Sequence, residues 1–329
     1  MMKKWSRVLV AAVLSVGLSI GYGQQVNAMV GGKPVIGISW KGPNQAKTYE
    51  AFRKIITMAG GVPVELDQIR SEDVKYDASG VVDKADLEPS GMLKQSYADK
   101  IKKADFARTN VETVMQGVDG VFGTGGADIS PSLYKNPEKE KNHGEAIDAA
   151  RDVSDYTLQA YCRAHNIPIL NVCRSEQMMG VVYGASLIQD IPDYYKANGV
   201  TSYKEIHRMP VGTPNRDYAH HDVHIFKMPS HLREIVGADT IKNVSSWHHQ
   251  NILSVKGTDL GQTAECEDQG LSLIEGVEDP SRTFAVGLQF HPENDIKNVV
   301  LLKKDPKGFA DPDTCLKFFK ALVAAAKKS

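Results

Sequence analysis

Apolar and polar positions along this chain fall into a strand–helix–strand rhythm. Pro34–Trp40 (PVIGISW) is a short apolar run that reads as a buried strand. In Ala46–Ala59 the residues Phe52, Ile55, Ile56 and Ala59 share one helical face, Gly60-Gly61 ends the helix, and Val62–Leu66 reads as a second strand. That order predicts a parallel sheet with helices on both faces. From Asp67 to about Phe106 the rhythm lapses into a stretch rich in Asp, Lys and Ser, with one helix expected near Leu93–Ala104. An insertion of this length forms either a lid or rim over a site or a solvated surface excursion. The rhythm resumes with a helix at Asn110–Gln116, a strand at Gly120–Gly123, a helix at Ile147–His165, a strand at Ile167–Val172 and a helix from near Glu176. From about Ser186 the pattern turns mostly β, with runs at Ser186–Ile191, Val223–Phe226, Ile241–Val244, Leu271–Val277 and Phe284–Phe290, before an amphipathic helix at Thr314–Lys327. The reading is an α/β fold, a three-layer α/β/α sandwich around a mostly parallel sheet. Without repeats, low-complexity tracts or a Pro/Gly/Ser linker, residues 29–329 read as one domain with an insertion at about 67–106.

The first 28 residues stand outside this rhythm. Lys3, Lys4 and Arg7 precede an apolar run from Val8 to about Tyr22, and Val26-Asn27-Ala28 offers small or apolar residues at −3 and −1. This is the pattern of a signal peptide cleaved after Ala28, which predicts export to a bacterial periplasm or beyond the cell. The run falls short of the roughly 20 residues a bilayer span needs, so no membrane span is expected after cleavage; an uncleaved anchor is the competing reading. A net charge of −1 without a Lys/Arg run excludes an electrostatic footprint for nucleic acid. The four cysteines, Cys162, Cys173, Cys266 and Cys315, show neither CxxC pairing nor metal-ligand spacing. Single buried thiols are expected in preference to a Cys266–Cys315 bridge.

Three constellations carry chemistry. In Leu170-Asn171-Val172-Cys173-Arg174-Ser175 a cysteine occupies a strand-to-helix turn. There it is lifted out of the sheet, the helix N-terminus favours the thiolate, and the Arg174 backbone N–H faces a developing oxyanion. In Gly123-Thr124-Gly125-Gly126-Ala127-Asp128 the glycines leave backbone N–H groups bare for a ligand oxygen. This is not a dinucleotide fingerprint, because Asp128 stands where its last glycine would fall. In Gln289-Phe290-His291-Pro292-Glu293 a strand ends at a histidine with a carboxylate two residues on, which suits a general base and the acid that orients it. Taken singly, each has a structural alternative: a buried cysteine, a plain turn, a structural histidine.

Together these segments resemble the γ-glutamyl hydrolase branch of the class I glutamine amidotransferases, and among those the γ-glutamyl-γ-aminobutyrate hydrolases. The resemblance is carried in order by the TGGxDISPxxY loop ending at Tyr134, CRxxQ at Cys173–Gln177, SLxQDI at Ser186–Ile191, SxHHQ at Ser246–Gln250 and GxQFHPE at Gly287–Glu293. It is weak over about Lys33–Phe106 and good over about Gly117–Glu293. It implies a flavodoxin-like amidotransferase fold without cofactor. It further implies Cys173 as nucleophile, His291 as its base and Glu293 as the residue that orients His291. Gly125, Gly126 and Arg174 would serve the oxyanion, and Gln177 with Ser246, His248 and His249 would hold the glutamyl α-amino and α-carboxylate groups. The implied partner is a small γ-glutamyl substrate; a homodimer stays open. The chain departs from the family at Asn171 and Ser175, where small residues are usual, at Glu176, where an apolar residue is usual, and at Gly180, where Asn is common. Ser175 would crowd the turn or narrow the substrate slot. Glu176 would disfavour the thiolate or grip a cationic substrate group.

His220, His221, His224, His248 and His249 invite a metal reading, but HHxxH is loose spacing, and His221 and His224 should point to opposite faces of a strand. No metal site is expected. Against the hydrolase stand two other functions. One is a protein that binds a γ-glutamyl ligand without turnover; the other is a different cysteine chemistry in which Glu176 reaches the thiol.

Overall fold

Short apolar strands buried on both faces pair in parallel when helices cover both sides, and the computed structural model of the chain follows that rule. It describes residues 31–41, 46–134, 147–210, 212–213 and 217–328, so the signal peptide expected over residues 1–28 lies outside the described residues. The first part of the chain comprises β1 (Val35–Ile38), α1 (Ala46–Ala59), β2 (Val62–Glu65), α2 (Gln95–Ile101), α3 (Val111–Val114) and β3 (Gly120–Gly123). Next come α4 (Ala149–His165), β4 (Ile169–Val172), α5 (Arg174–Val182), β5 (Ser186–Ile188), α6 (Ile191–Ala197) and β6 (Ala219–Ile225). After these follow α7 (His231–Val236), β7 (Thr240–Ser246), β8 (Asn251–Ser254), β9 (Gly261–Asp268) and β10 (Leu271–Glu278). The chain closes with β11 (Ala285–Leu288), α8 (Pro292–Ile296) and α9 (Pro312–Ala326).

Among the described residues the main sheet runs β2-β1-β3-β4-β11-β10-β9-β6-β7, and β5 pairs with β8 in a small second sheet. From β2 to β11 every pairing is parallel; from β11 onward every pairing is antiparallel. Strand alternation divides the core in two. Val121 and Ile169 pack under α4 and α5, while Phe122, Leu170 and Val286 pack against α1 and α9. The α/β/α sandwich is therefore observed, extended by an antiparallel flank. No helix among the described residues is long and apolar enough to cross a membrane.

Some elements differ from the sequence reading. β9 escapes it because Thr263, Ala264 and Cys266 are the buried residues in an otherwise polar segment. The run expected at Ser186–Ile191 stops at Ile188, because the Asp190 side chain accepts from the Asp193 N–H and caps α6. The excursion after β2 is not a wholly solvated loop. Ile69, Val74, Val82, Leu93 and Ile101 join the core beneath α4. All four cysteines are buried and free, so Cys266 and Cys315 form no bridge.

Candidate active site

β3, β4 and β11 lie side by side and parallel, so their carboxyl ends open at one edge of the sheet, where α/β folds bind their ligands. Each end delivers one of the three constellations. Cys173 follows β4 directly and caps α5 with φ 54° and ψ −115°. A non-glycine residue held at positive φ costs about 1–3 kcal/mol and persists only where its surroundings enforce it. Here the Cys173 N–H donates to the Leu288 carbonyl (2.8 Å), and the Cys173 carbonyl accepts from the Gln177 N–H (3.1 Å), so the turn is clamped between sheet and helix. The thiol is 5% exposed and donates to the Trp247 carbonyl at 3.7 Å.

His291 sits beyond β11, and Pro292 starts α8 at once, which places Glu293 in the first turn. The His291 Nδ1 meets Glu293 Oε1 at 2.7 Å, leaving Nε2 for the thiol. Burial alone would lower the imidazole pKa, but the Glu293 carboxylate and Cys173 outweigh it and hold His291 well above its ordinary value. Tyr218 covers the ring edge-on at 5.1 Å and reaches Trp247 at 5.3 Å. Gly125 is fixed by space: a β-carbon there would stand 2.9 Å from His291 Cε1 and 3.5 Å from Cys173 Cβ. Any side chain would push the imidazole from its place.

The glycine loop rests on buried arginines. The Arg151 Nη2 donates to the Thr124 carbonyl (3.1 Å) and Oγ1 (2.8 Å), and a β-carbon on Gly126 would collide with Arg151 Nη1 at 2.0 Å. Arg174 turns its guanidinium behind the site, onto Asp152 at 2.5 Å and onto Asp155, so its backbone N–H is what it offers the cleft. Burial, against the pull of Arg174, pushes the Asp152 carboxyl up to about 6. The excursion braces the far end of the loop: Leu93 N–H donates to Ser130 Oγ (3.1 Å), and Ser132 Oγ donates to the Leu93 carbonyl (2.6 Å).

The departures at the elbow explain one another. The Ser175 hydroxyl donates to Asn171 Oδ1 (3.2 Å) and accepts from Gln159 Nε2 (3.0 Å), while Gln159 also bonds Asn171. This buried network lies beneath Gly123, where a β-carbon would sit 2.2 Å from Ser175 Oγ. Ser175 therefore points away from the cleft and does not narrow it. Glu176 is fully buried, with neither oxygen hydrogen-bonded, against Gly287. Burial first, then Glu275 and Cys173, push its carboxyl well above the carboxylate range, which favours the uncharged acid and weakens both its grip on a cation and its repulsion of a thiolate. Gly180 accommodates Ile252, whose Cδ1 would lie 2.7 Å from a β-carbon there.

An open cleft lies over Cys173, walled by Gly126, Asp128, Gln177, Arg208 and the Trp247–Gln250 turn. Gln177 spends its amide on the Gln250 carbonyl and Gln289 Oε1 (3.0 Å each), which aims its own oxygen elsewhere as an acceptor. His248 and His249 both line the cleft. Ser246 does not: it is fully buried, with its hydroxyl on the His207 carbonyl (2.8 Å). His249 is clasped by Asp128 and Asp190, both at 3.0 Å. Burial opposes its charge, but the two carboxylates prevail and raise its pKa to about 9, so it is an imidazolium at neutral pH. Asp128, Asp190, Arg208 and Tyr218 were not singled out from sequence. Asp128 and Asp190 lie inside the loop and SLxQDI motifs, which was the available signal; Arg208 and Tyr218 had none.

A thiol on a strained strand end, beside a carboxylate-bound histidine and a bare glycine loop, is equipped for acyl transfer. The sequence profile of peptidase C26 matches residues 101–293. This chain belongs to the peptidase C26 family. It is accordingly a glutamine amidotransferase-like protein. Among relatives of this C26 member, a Schizosaccharomyces pombe protein named provisionally as a glutamine amidotransferase is 29% identical over 181 residues, 55% of this chain and 64% of its own length. A glutamine amidotransferase-like protein of Rickettsia prowazekii is 25% identical over 274 residues, 71% of this chain and 89% of its own. The glutaminase domain of Trypanosoma brucei CTPS, solved with bound acivicin, aligns over 90% of this chain and 94% of its own at 16% identity, with a TM-score of 0.49, too loose a likeness to bear on the site.

Proposed function

We propose that this protein is an exported cysteine hydrolase that cleaves a γ-glutamyl amide or peptide bond through a γ-glutamyl thioester on Cys173. The observation that carries the reading is Cys173 held at φ 54° against Gly125, with His291 beside it and Glu293 behind. His291 takes the thiol proton as sulfur attacks the γ-carbonyl. The Gly126 and Arg174 N–H groups receive the oxyanion. The amine leaves with a proton from His291, and a water activated by the same imidazole hydrolyses the thioester to glutamate and free thiol. The opposite charges of Arg208 and Asp128 on the cleft wall suit the α-carboxylate and α-ammonium of a glutamyl group, and the Gln177 oxygen offers a further acceptor. The leader pattern of residues 1–28 supports export to a periplasm or to the exterior.

The test is glutamate release from a panel of γ-glutamyl amides, peptides and poly-γ-glutamyl chains by the wild type and by Cys173→Ala. Release by the wild type alone, with a mass increment of one glutamyl group trapped on Cys173, is the expected result. Binding of panel members with neither release nor acyl-enzyme would replace this reading with a ligand-binding one.

A further inference from the structure

We propose that His207, His221 and Glu275 bind one divalent transition-metal ion of the zinc class, with His248 beside them as a further nitrogen ligand. The four side chains come from separate parts of the chain: the segment after α6, β6, β10, and the turn between β7 and β8. All four are buried. One donor atom each from His207, His221 and Glu275 lies within 4.8 Å of the others. Glu275 Oε1 stands 3.3 Å from His207 Nδ1, 3.1 Å from His221 Nε2 and 3.6 Å from His248 Nε2. Tetrahedral zinc with bonds of about 2.0–2.1 Å holds its donors roughly 3.3 Å apart.

Glu275 Oε1 stands at ion-pair distance from all three histidines, yet none of these approaches meets hydrogen-bond geometry, and the Nε2 atoms of His221 and His248 and both Glu275 oxygens are buried without another hydrogen-bond partner. Three imidazole nitrogens gathered on one buried carboxylate are an arrangement that a cation would join. The outer contacts fit ligation as well. His221 Nδ1 faces the Ile206 carbonyl at 3.3 Å and His248 Nδ1 the Gln250 carbonyl at 2.9 Å, the arrangement that turns an Nε2 lone pair toward a metal. Glu275 falls at the register break in β10 between Ile274 and Gly276, which takes it out of regular pairing, as bulges do where a side chain is re-aimed. Binding needs no redox partner: the ion sheds water, the imidazoles coordinate as neutral rings, and any ring proton leaves to solvent. The ion ties three segments beneath the cleft wall that His248 shares, a structural role separate from the thiol chemistry.

The test uses the full chain purified without a polyhistidine tag and stripped with chelator. Zinc is titrated by calorimetry, bound metal is counted by mass spectrometry after dialysis, and cobalt is substituted to read geometry. Expected are close to one zinc per chain, the intense visible absorption of tetrahedral cobalt, and a higher melting temperature with zinc. His221→Asn and Glu275→Gln should weaken binding at least about tenfold, while His224→Asn on the exposed face of β6 keeps it. Less than about a tenth of an equivalent on folded wild type, pale octahedral cobalt, or equal loss in His224→Asn would overturn the proposal and leave a buried histidine–glutamate pair. Should the ligand variants not fold, wild-type stoichiometry and the cobalt spectrum decide alone. Each readout is independent of hydrolysis.

Discussion

Glu293 and Cys173 pull the His291 imidazole toward its charged form, while burial pulls it the other way and loses. A histidine whose folded pKa is raised contributes stability that is complete below its unfolded value of about 6.5 and disappears as pH rises through the folded value. Glu293→Gln should therefore move the His291 titration midpoint down, as followed by the imidazole proton resonances. On the proposed mechanism it should also cut kcat by up to roughly 10⁴, the loss that follows removal of the orienting acid of a Ser-His-Asp triad. The same sign holds for His249, whose pKa of about 9 makes the Asp128 and Asp190 contacts stabilising at pH 6 and progressively less so up to pH 9. Asp128→Asn should cost up to on the order of 3 kcal/mol at pH 6 and much less above pH 9, measured by urea unfolding at both values. Cys173, His291 and Glu293 were legible in sequence because each stands in a contiguous motif with a strand end before it. The Asp128–His249–Asp190 clasp was not, because its carboxylates stand 121 and 59 residues from the histidine. Ser246 was grouped with its neighbours His248 and His249, yet it ends β7 facing inward, and a short turn separates it from the cleft.

At the scale of elements, the β4–α5 elbow combines a strained residue with a polar brace. Cys173→Gly should be more stable than Cys173→Ala by about 1 kcal/mol, because glycine accepts positive φ without a steric cost, while both are inert toward substrate. Ser175→Gly should lower stability by about 1–3 kcal/mol in denaturant unfolding, since it leaves Asn171 and Gln159 partly unpaired in a buried place. It should leave KM within a few-fold of wild type, because Ser175 does not face the cleft. From sequence, Ser175 read as an intrusion into the substrate slot. Its partner Gln159, on α4, shares no motif with it, and only packing reveals that the two departures and this glutamine form one unit. The central parallel strands β1, β3, β4 and β11 were legible because burial on both faces makes them nearly continuous apolar runs, and β2, at the sheet edge, because it follows the Gly60-Gly61 helix stop. β9 was not, because it gains its place through ladder pairing with β10 and β6 and not through apolar content.

For the whole molecule, the excursion after β2 is part of the core as well as a support for the glycine loop. The isolated bridge between Ser71 and Thr109 closes its neck, so residues 72–108 can be replaced by a short linker without stretching the chain. Such a deletion should yield an unstable or insoluble chain by circular dichroism melting, and not a folded enzyme with altered substrate range, because it strips apolar cover from beneath α4. Sequence could not distinguish this from a surface loop: the apolar residues of the excursion are too widely spaced to show a period, and they are buried by isolated bridges and turns. The order of strands has one more consequence. β11 follows all the other strands along the chain, yet it belongs in the middle of the sheet, between β4 and β10. The elbow lacks its Leu288 clamp and the thiol lacks its base until that late strand is inserted, a distant closure of the kind that slows folding. A chain truncated before β11 thus holds Cys173 without the Leu288 clamp and without the His291 that follows that strand.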